Sequence, residues 1–280
     1  METVLIGRNC EVKFGQSLPT VFIAERINPT GRKSLAEELK QGKLDIVERD
    51  AIEQTNAGAH IIDINVGAVG VDEVELLPKA VKKVMEVTDR PICIDSANHK
   101  AIEAALNVCS DYKVLINSLN GEEASMDYML PLVKESGSAV ICLTMDERGI
   151  SNDPLVRFEI AKKIISRAES MGIKRENLVF DPLVMGAATD QNAGKVCLET
   201  MRMIVKEFGV STTGGFSNIS FGMPAREFLN VTFIVMGIMS GLCAPITDVL
   251  MKSLAPAVKA ADFLAGRDPY GMNFISMYRK

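Results

Sequence analysis

The chain alternates between two hydrophobic periods. Short apolar runs rich in Val and Ile, four to six residues long, fit buried strands at 21–25, 60–65, 91–95, 113–117, 139–144, 178–181, 213–217 and 244–248. Between them apolar residues recur every three to four positions over 45–57, 73–88, 98–108, 122–136, 154–172, 192–208 and 224–241, with a last such stretch at 251–265. That spacing puts one apolar stripe on each helix. Alternation of strand and helix requires crossover connections and therefore a parallel sheet. Eight repeats predict an α/β fold closed as a TIM (β/α)8 barrel rather than an open doubly wound sheet. Barrels of this kind commonly run to about 250 residues as one unit, so the 280 residues are read as a single domain spanning 1–280.

Local chemistry agrees with these boundaries. Asn152 or Asp153 can cap the helix that Pro154 opens, and Gly58, Gly137 and Gly172 follow helical stretches where a left-handed residue is needed. The stretch from Phe228 to Thr247 carries no charge and is long enough to cross a bilayer. Its Asn230, Ser240, Gly241 and Pro245 instead predict a buried helix followed by a buried strand, and no membrane association.

Composition removes several function classes. With 31 basic against 36 acidic residues, net charge −5, and no Lys/Arg block, nothing marks a nucleic-acid or anionic-membrane surface. The six cysteines are scattered without a C-x-x-C pair and read as reduced thiols. Only His60 and His99 are available as histidines, so no metal site is expected; both are read as packing and capping residues. Glu2, Arg8 and Glu11 precede any long apolar run, so no signal peptide is expected and the cytoplasm is the expected compartment.

The predicted strands share a second feature: apolar bodies that end in polar side chains. The endings are Glu25-Arg26-Ile27-Asn28, Asp63-Ile64-Asn65, Asp95-Ser96, Asn117-Ser118, Thr144, Asp181-Pro182, Ser217-Asn218 and Asp248. Any one of these could be a helix cap or a turn residue. A whole ring of them at the C-terminal mouth is what a barrel needs to build one site from many strands. The ring has no Lys for a Schiff base and only Thr212-Thr213-Gly214-Gly215 as a Gly-rich loop. Carboxylates and amides suit a ligand with several N–H donors and ring acceptors, such as a pterin.

Glu25-Arg26-Ile27-Asn28-Pro29-Thr30-Gly31, the segment 57–67 ending Asp63-Ile64-Asn65-Val66-Gly67, Ile94-Asp95-Ser96, Ile116-Asn117-Ser118, Phe180-Asp181-Pro182-Leu183 and Gly215-Phe216-Ser217-Asn218 together resemble the pterin-binding barrels of the methyltetrahydrofolate:corrinoid methyltransferases. These are dihydropteroate synthase-like barrels, similar also to the folate module of cobalamin-dependent methionine synthase. The resemblance implies that Asp95, Asn117 and Asp181 hydrogen-bond the pterin. It implies that Asn218 reaches N5, the nitrogen that carries the methyl, and is the catalytic residue. Asp63, Asn65, Gly215 and Ser217 would line the same pocket, with Arg226 beside it. Phe221 stands where acetogenic members of the family carry Gln.

The resemblance further implies tetrahydrofolate or 5-methyltetrahydrofolate as substrate, and cobalamin supplied by a corrinoid-binding partner protein. The favoured direction is from the methylcorrinoid to tetrahydrofolate, as in glycine betaine demethylation; the alternative is the reverse transfer to a corrinoid iron–sulfur protein. Dihydropteroate synthase itself fits less well, because Ser217-Asn218 and Thr247-Asp248 stand where it needs basic groups for a pyrophosphate. A non-catalytic folate-binding module would keep the pocket without the rate. The charge-free helix after Phe228, apolar on nearly all faces, predicts a homodimer. Met145, Met185 and Met223, just past strands, are read as candidates for an adaptable docking surface.

Overall fold

Periodicity does not announce the first element, a hairpin of β1 (Glu2–Ile6) and β2 (Glu11–Gly15), paired antiparallel from Glu2 opposite Gly15 to Ile6 opposite Glu11. The computed structural model, which describes residues 1–279, then shows eight parallel strands: β3 (Ile23–Ile27), β4 (Ile61–Asn65), β5 (Ile92–Asp95), β6 (Leu115–Asn120), β7 (Ala139–Leu143), β8 (Leu178–Asp181), β9 (Ser211–Gly215) and β10 (Ala244–Thr247). They close into a barrel because β10 pairs with both β9 and β3. Around it run α1 (Lys33–Lys40), α2 (Asp45–Asn56), α3 (Glu73–Val87), α4 (His99–Leu106), α5 (Glu123–Ser136), α6 (Pro154–Ser170), α7 (Ala193–Phe208), α8 (Arg226–Ile238), α9 (Leu254–Leu264) and α10 (Met272–Ser276). The predicted TIM barrel is the observed fold.

Strand alternation divides the core in two. Ile62, Ile64, Ile94, Ile116 and Phe180 face the helices and join the large outer core. Ile61, Cys93, Leu115 and Val179 point into the barrel and pack with Leu5, Val12 and Phe14 of the hairpin. The hairpin thus closes the N-terminal end of the barrel, and burying Phe14 there contributes about 1.5–3 kcal/mol. Two residues beyond each of those interior positions, on the same face and one layer nearer the C-terminal mouth, stand Asp63, Asp95, Asn117 and Asp181.

Three strands depart from expectation, the first being β3, which begins at Ile23 and runs to Ile27, two residues later at each end than the apolar run at 21–25. β9 begins at Ser211, two residues early, because Thr212 and Thr213 are fully buried and donate their hydroxyls to Gly241 O and Ala244 O, both at 2.6 Å. The residues expected at its end, Phe216 and Ser217, instead open a short 3-10 turn, Phe216–Ser220. β6 runs on past Asn117 to Asn120 through a shift of register. α1 escapes the periodic reading because it buries only Leu35 and Leu39.

The caps follow the sequence at α6, where Asp153 Oδ1 accepts from Leu155 N at 2.9 Å, and at Gly137, whose φ of +65° ends α5. They differ at α4: Asn98 is the cap, accepting from Lys100 N at 3.1 Å, while His99 stacks on Tyr128. His60 Nδ1 accepts from Phe22 N at 3.0 Å, and burial holds its pKa down to about 4, which fits a neutral packing residue. The uncharged stretch resolves into α8, a turn at Gly241 and β10. Among the described residues no helix is long and apolar enough to cross a membrane.

Candidate active site

The strand ends enclose an open cavity of about 620 Å³ at the C-terminal mouth. Asp63, Asp95, Asn117 and Asp181 form one side of its wall; Gly215, Ser217, Asn218 and Arg226 form another. Eight of the nine residues expected at the site therefore line one space. The ninth, Asn65, acts from behind: its Nδ2 donates to Asp95 Oδ2 at 2.9 Å while its Oδ1 accepts from Gly67 N at 2.8 Å. Asn65 orients the Asp95 carboxylate rather than lining the cavity.

The carboxylates are crowded and dry, which sets their chemistry. Burial, then the charge of Asp95, pushes the Asp63 carboxyl well above its ordinary range. Asn117 Nδ2 donates to Asp63 Oδ1 at 3.3 Å, so Asp63 is tied to the β6 end and not to the loop after the first barrel strand. Burial raises Asp95 to about 6 against the opposing hydrogen bond from Asn65, and raises Asp181 to about 6 against that from Leu183 N, 2.7 Å from Oδ1. Such acceptors suit a ligand that brings its own N–H donors and takes no full charge into the cavity.

Opposite them, β9 ends in Gly214 and Gly215 because side chains do not fit. A Cβ on Gly214 would lie 3.1 Å from Asp181 Oδ1, and one on Gly215 would lie 3.0 Å from Asn218 Nδ2. In the 3-10 turn that follows, Ser217 Oγ donates to Glu25 Oε1 at 2.7 Å, fastening the turn to β3 across the mouth. Burial raises the Glu25 carboxyl, opposed by that hydrogen bond. Arg226 braces the turn from the other side, with Nη2 donating to Ser217 O at 3.0 Å and Nε to Ser220 Oγ at 2.9 Å. Its guanidinium also lies over the ring of Phe221, 5.6 Å from the centroid. Phe221 is 68% exposed on the cavity rim, where it offers an apolar face in place of an amide.

With Ser217 and Arg226 holding the turn, Asn218 is left exposed at the cavity, and among the described residues its side-chain amide donates to no protein group. A residue that merely braced the Gly-rich turn would spend that amide on backbone carbonyls.

Glu25, Arg26, Asn28, Thr30, Arg32, Ile246 and Asp248 also line the cavity and were not among the expected site residues. Glu25, Arg26, Asn28 and Asp248 were visible as polar strand endings; period two from Ile23 to Glu25 and from Ile246 to Asp248 is the signal that assigns two of them inward. Arg26 Nη1 lies 3.6 Å from Asp248 Oδ2, and Arg32 pairs with the buried Asp50 of α2. Thr144, another polar ending, turns away and donates to Asp181 O at 3.1 Å. Of the three methionines considered for docking, Met145 and Met185 are half-buried, and Met223 lies in a groove between α7 and α8, outside the mouth.

Residues 24–248 match the family model described as "Pterin binding enzyme". The chain belongs to this family. The matched span runs from the second residue of β3 to the residue after β10 and so contains the barrel and every expected site residue. This pterin-binding enzyme is 29% identical over 269 residues to the methylcorrinoid:tetrahydrofolate methyltransferase of Eubacterium limosum, covering 93% of its own length and 96% of that protein's. It is 32% identical over 240 residues to methionine synthase of Mycobacterium tuberculosis, a match covering 80% of this chain and 20% of that longer one. Among solved structures, dihydropteroate synthases of Coxiella burnetii, in complex with pteroic acid, and of Vibrio fischeri both superpose with a TM-score of 0.69 at 17% identity. The first match covers 94% of this chain and 98% of that one, the second 95% and 100%. At that identity the likeness establishes the fold of the pterin-binding enzyme and not its reaction.

Proposed function

We propose that this pterin-binding enzyme moves a methyl group between a corrinoid protein and N5 of tetrahydrofolate. The direction we favour is from the methylcorrinoid to tetrahydrofolate, giving 5-methyltetrahydrofolate. The observation that carries the reading is the cavity itself: two buried carboxylates, Asp63 and Asp181, the half-buried Asp95 and an amide on one wall, and on the other Asn218, whose amide has no protein partner among the described residues. End-to-end similarity to the Eubacterium limosum methyltransferase supports it, and the wording of that protein's name favours the direction.

The residues divide the work. Asp95, Asn117 and Asp181 accept from the pterin's amino and ring N–H groups, with Asp63 beneath them and Asn65 steadying Asp95. Gly215, Ser217 and Arg226 let the flat ring approach and keep the turn in place. That arrangement fixes N5 toward the open mouth, so that transfer becomes a matter of orientation rather than chance encounter. The corrinoid, carried by its partner protein, supplies the cobalt centre that gives or takes the methyl. An amine N5 gains and loses positive character as the bond to the methyl changes, and Asn218 stabilises that change with an oriented hydrogen bond. No side chain of this chain needs to hold the methyl covalently.

The test is direct. Methylcobalamin and tetrahydrofolate mixed with pure protein should give 5-methyltetrahydrofolate together with the absorbance change of corrinoid demethylation. A protein that binds tetrahydrofolate but leaves the corrinoid spectrum unchanged from the protein-free rate is a binding module.

We further propose a homodimer built on α8. The helix is not apolar for its own core alone: Val231, Phe233, Ile234 and Ile238 are buried, while Phe228 is 80% and Met239 63% exposed on the other side. Beside them lies a groove of about 490 Å³ lined by Leu198, Ile219, Leu229 and Phe233. An apolar ridge next to an apolar groove is a self-complementary surface of the kind a two-fold interface uses. Light scattering should give twice the chain mass, and Phe228→Glu should lower it to one chain; a wild-type mass of one chain overturns the proposal.

A further inference from the structure

α6 buries a guanidinium that, among the described residues, forms no direct ion pair with a carboxylate. Arg157 is 1% exposed, and its hydrogen bonds go to backbone carbonyls: Nε donates to Ser151 O at 2.6 Å, and Nη1 to Leu183 O at 2.8 Å and to Pro182 O. A buried charge satisfied by neutral dipoles alone is costly, and a core of this kind could fill the space with an apolar side chain. The arginine is therefore accounted for by what it holds. Two of its three acceptors belong to the corner that leaves β8 just after Asp181.

That corner is unusual. Leu183 has φ of +65°, a left-handed conformation that a branched side chain rarely adopts. In it the Leu183 N–H turns back onto Asp181 Oδ1 at 2.7 Å. One carboxylate oxygen is thereby fixed by the backbone, and the carboxylate is held against the cavity that it lines.

We propose that Arg157 is a positioning residue for Asp181, clamping the Asp181-Pro182-Leu183 corner so that the carboxylate meets the pterin in one orientation. The inference rests on the folate reading of the cavity. Arg157 acts twice: its hydrogen bonds keep Leu183 left-handed, and its charge opposes the burial that raises the Asp181 carboxyl. The other groups facing the guanidinium are Cys197 of α7, whose thiol burial keeps protonated, and Asp190 from the loop before α7, whose Oδ1 is engaged by Asn192 N at 2.8 Å. Neither replaces the arginine at the corner.

Titration calorimetry with tetrahydrofolate across pH 5 to 8 tests this on the wild type, Arg157→Met and Arg157→Lys, each with and without Leu183→Gly. Arg157→Met should weaken binding roughly 10- to 100-fold, the range for leaving a buried polar group badly paired. It should also move the pH midpoint of affinity upward, because the opposing charge is gone. Arg157→Lys should weaken binding less and leave the midpoint in place, since it keeps the charge but reaches fewer carbonyls. Leu183→Gly should restore part of the affinity lost in either variant, because glycine takes a positive φ without a clamp. If Arg157→Met does not fold, the Lys pair carries the comparison of affinity loss and its rescue by glycine. A lower Tm with wild-type affinity and an unmoved midpoint is what a purely structural arginine gives, and it overturns the inference, as does absence of rescue by glycine. Failure of the wild type to bind tetrahydrofolate overturns the folate reading, and the inference with it.

Discussion

Asn218→Ala should slow methyl transfer by about 10²- to 10³-fold, roughly 2.7–4 kcal/mol, while tetrahydrofolate affinity falls far less. The asymmetry follows from where the amide sits. Ser217 and Arg226 already hold the 3-10 turn, through Glu25 Oε1 on one side and Ser217 O on the other, so the turn does not need the Asn218 side chain to keep its shape. The group being removed is an amide that lines the cavity and has no protein hydrogen-bond partner among the described residues. Its interaction with N5 matters most while charge is changing there, and only stabilisation that is stronger in the transition state than in the ground state raises the rate. Stopped-flow transfer between methylcobalamin and tetrahydrofolate at saturating folate, with calorimetric binding on the same variant, separates the two quantities. An unaltered rate at saturation removes Asn218 from catalysis; equal losses of rate, affinity and Tm make it a brace.

The rim residue Phe221 belongs to the same question. Its ring packs under the Arg226 guanidinium, so the arginine that braces the Asn218 turn is partly shielded from water by an apolar face. A polar side chain at 221 would give up that stacking and offer a hydrogen-bonding group at the rim instead. The substitution therefore alters the support of the turn as well as the polarity of the mouth.

How much of this is legible from sequence depends on the period that carries each signal. A strand buried on both faces is a continuous apolar run, and such runs mark most of the barrel strands, with Ser-Thr-Thr-Gly-Gly of β9 the exception; a run of the same length rich in β-branched residues, Val231 to Val235, lies inside α8. The inward position of Asp63, Asp95, Asn117 and Asp181 is legible too, because period two ties each to an interior apolar residue two places earlier. What failed to show has physical reasons. The β1–β2 hairpin is short and half polar, and its role as a barrel plug is a long-range contact that no local pattern encodes. β9 was displaced because its buried threonines look polar in sequence and become apolar in effect only once Gly241 O and Ala244 O accept their hydroxyls. Asn65 was assigned to the pocket wall, yet it belongs to the layer behind. A strand end fixes which face a side chain leaves from, but not whether a neighbouring carboxylate captures it first.

Asp181→Asn should make the unliganded protein more stable above pH 6, by at most about 3 kcal/mol, while costing about 1–3 kcal/mol of tetrahydrofolate affinity. Burial raises the folded-state pKa of Asp181 from 3.8 to about 6, so the folded protein binds this proton more tightly than the unfolded chain does. The sign follows from linkage: the contribution of the carboxyl to stability is complete below pH 3.8 and is lost as pH rises through about 6. An amide of the same shape never ionises, so it avoids that loss, and its oxygen can still accept from Leu183 N. It offers the pterin one acceptor fewer and a donor where another acceptor is wanted. Asp95→Asn should behave alike, since Asp95 is also raised to about 6 by burial and its contact with Asn65 can be kept by the amide oxygen. Denaturant melts of the unliganded wild type between pH 4 and 8 should slope downward through pH 6, with the two variants flatter, and calorimetry on the same samples should show the loss of affinity. A site kept at a cost in stability can only be explained by what it binds. Loss of stability in both variants at pH 8 would show instead that the carboxylates hold the barrel mouth together.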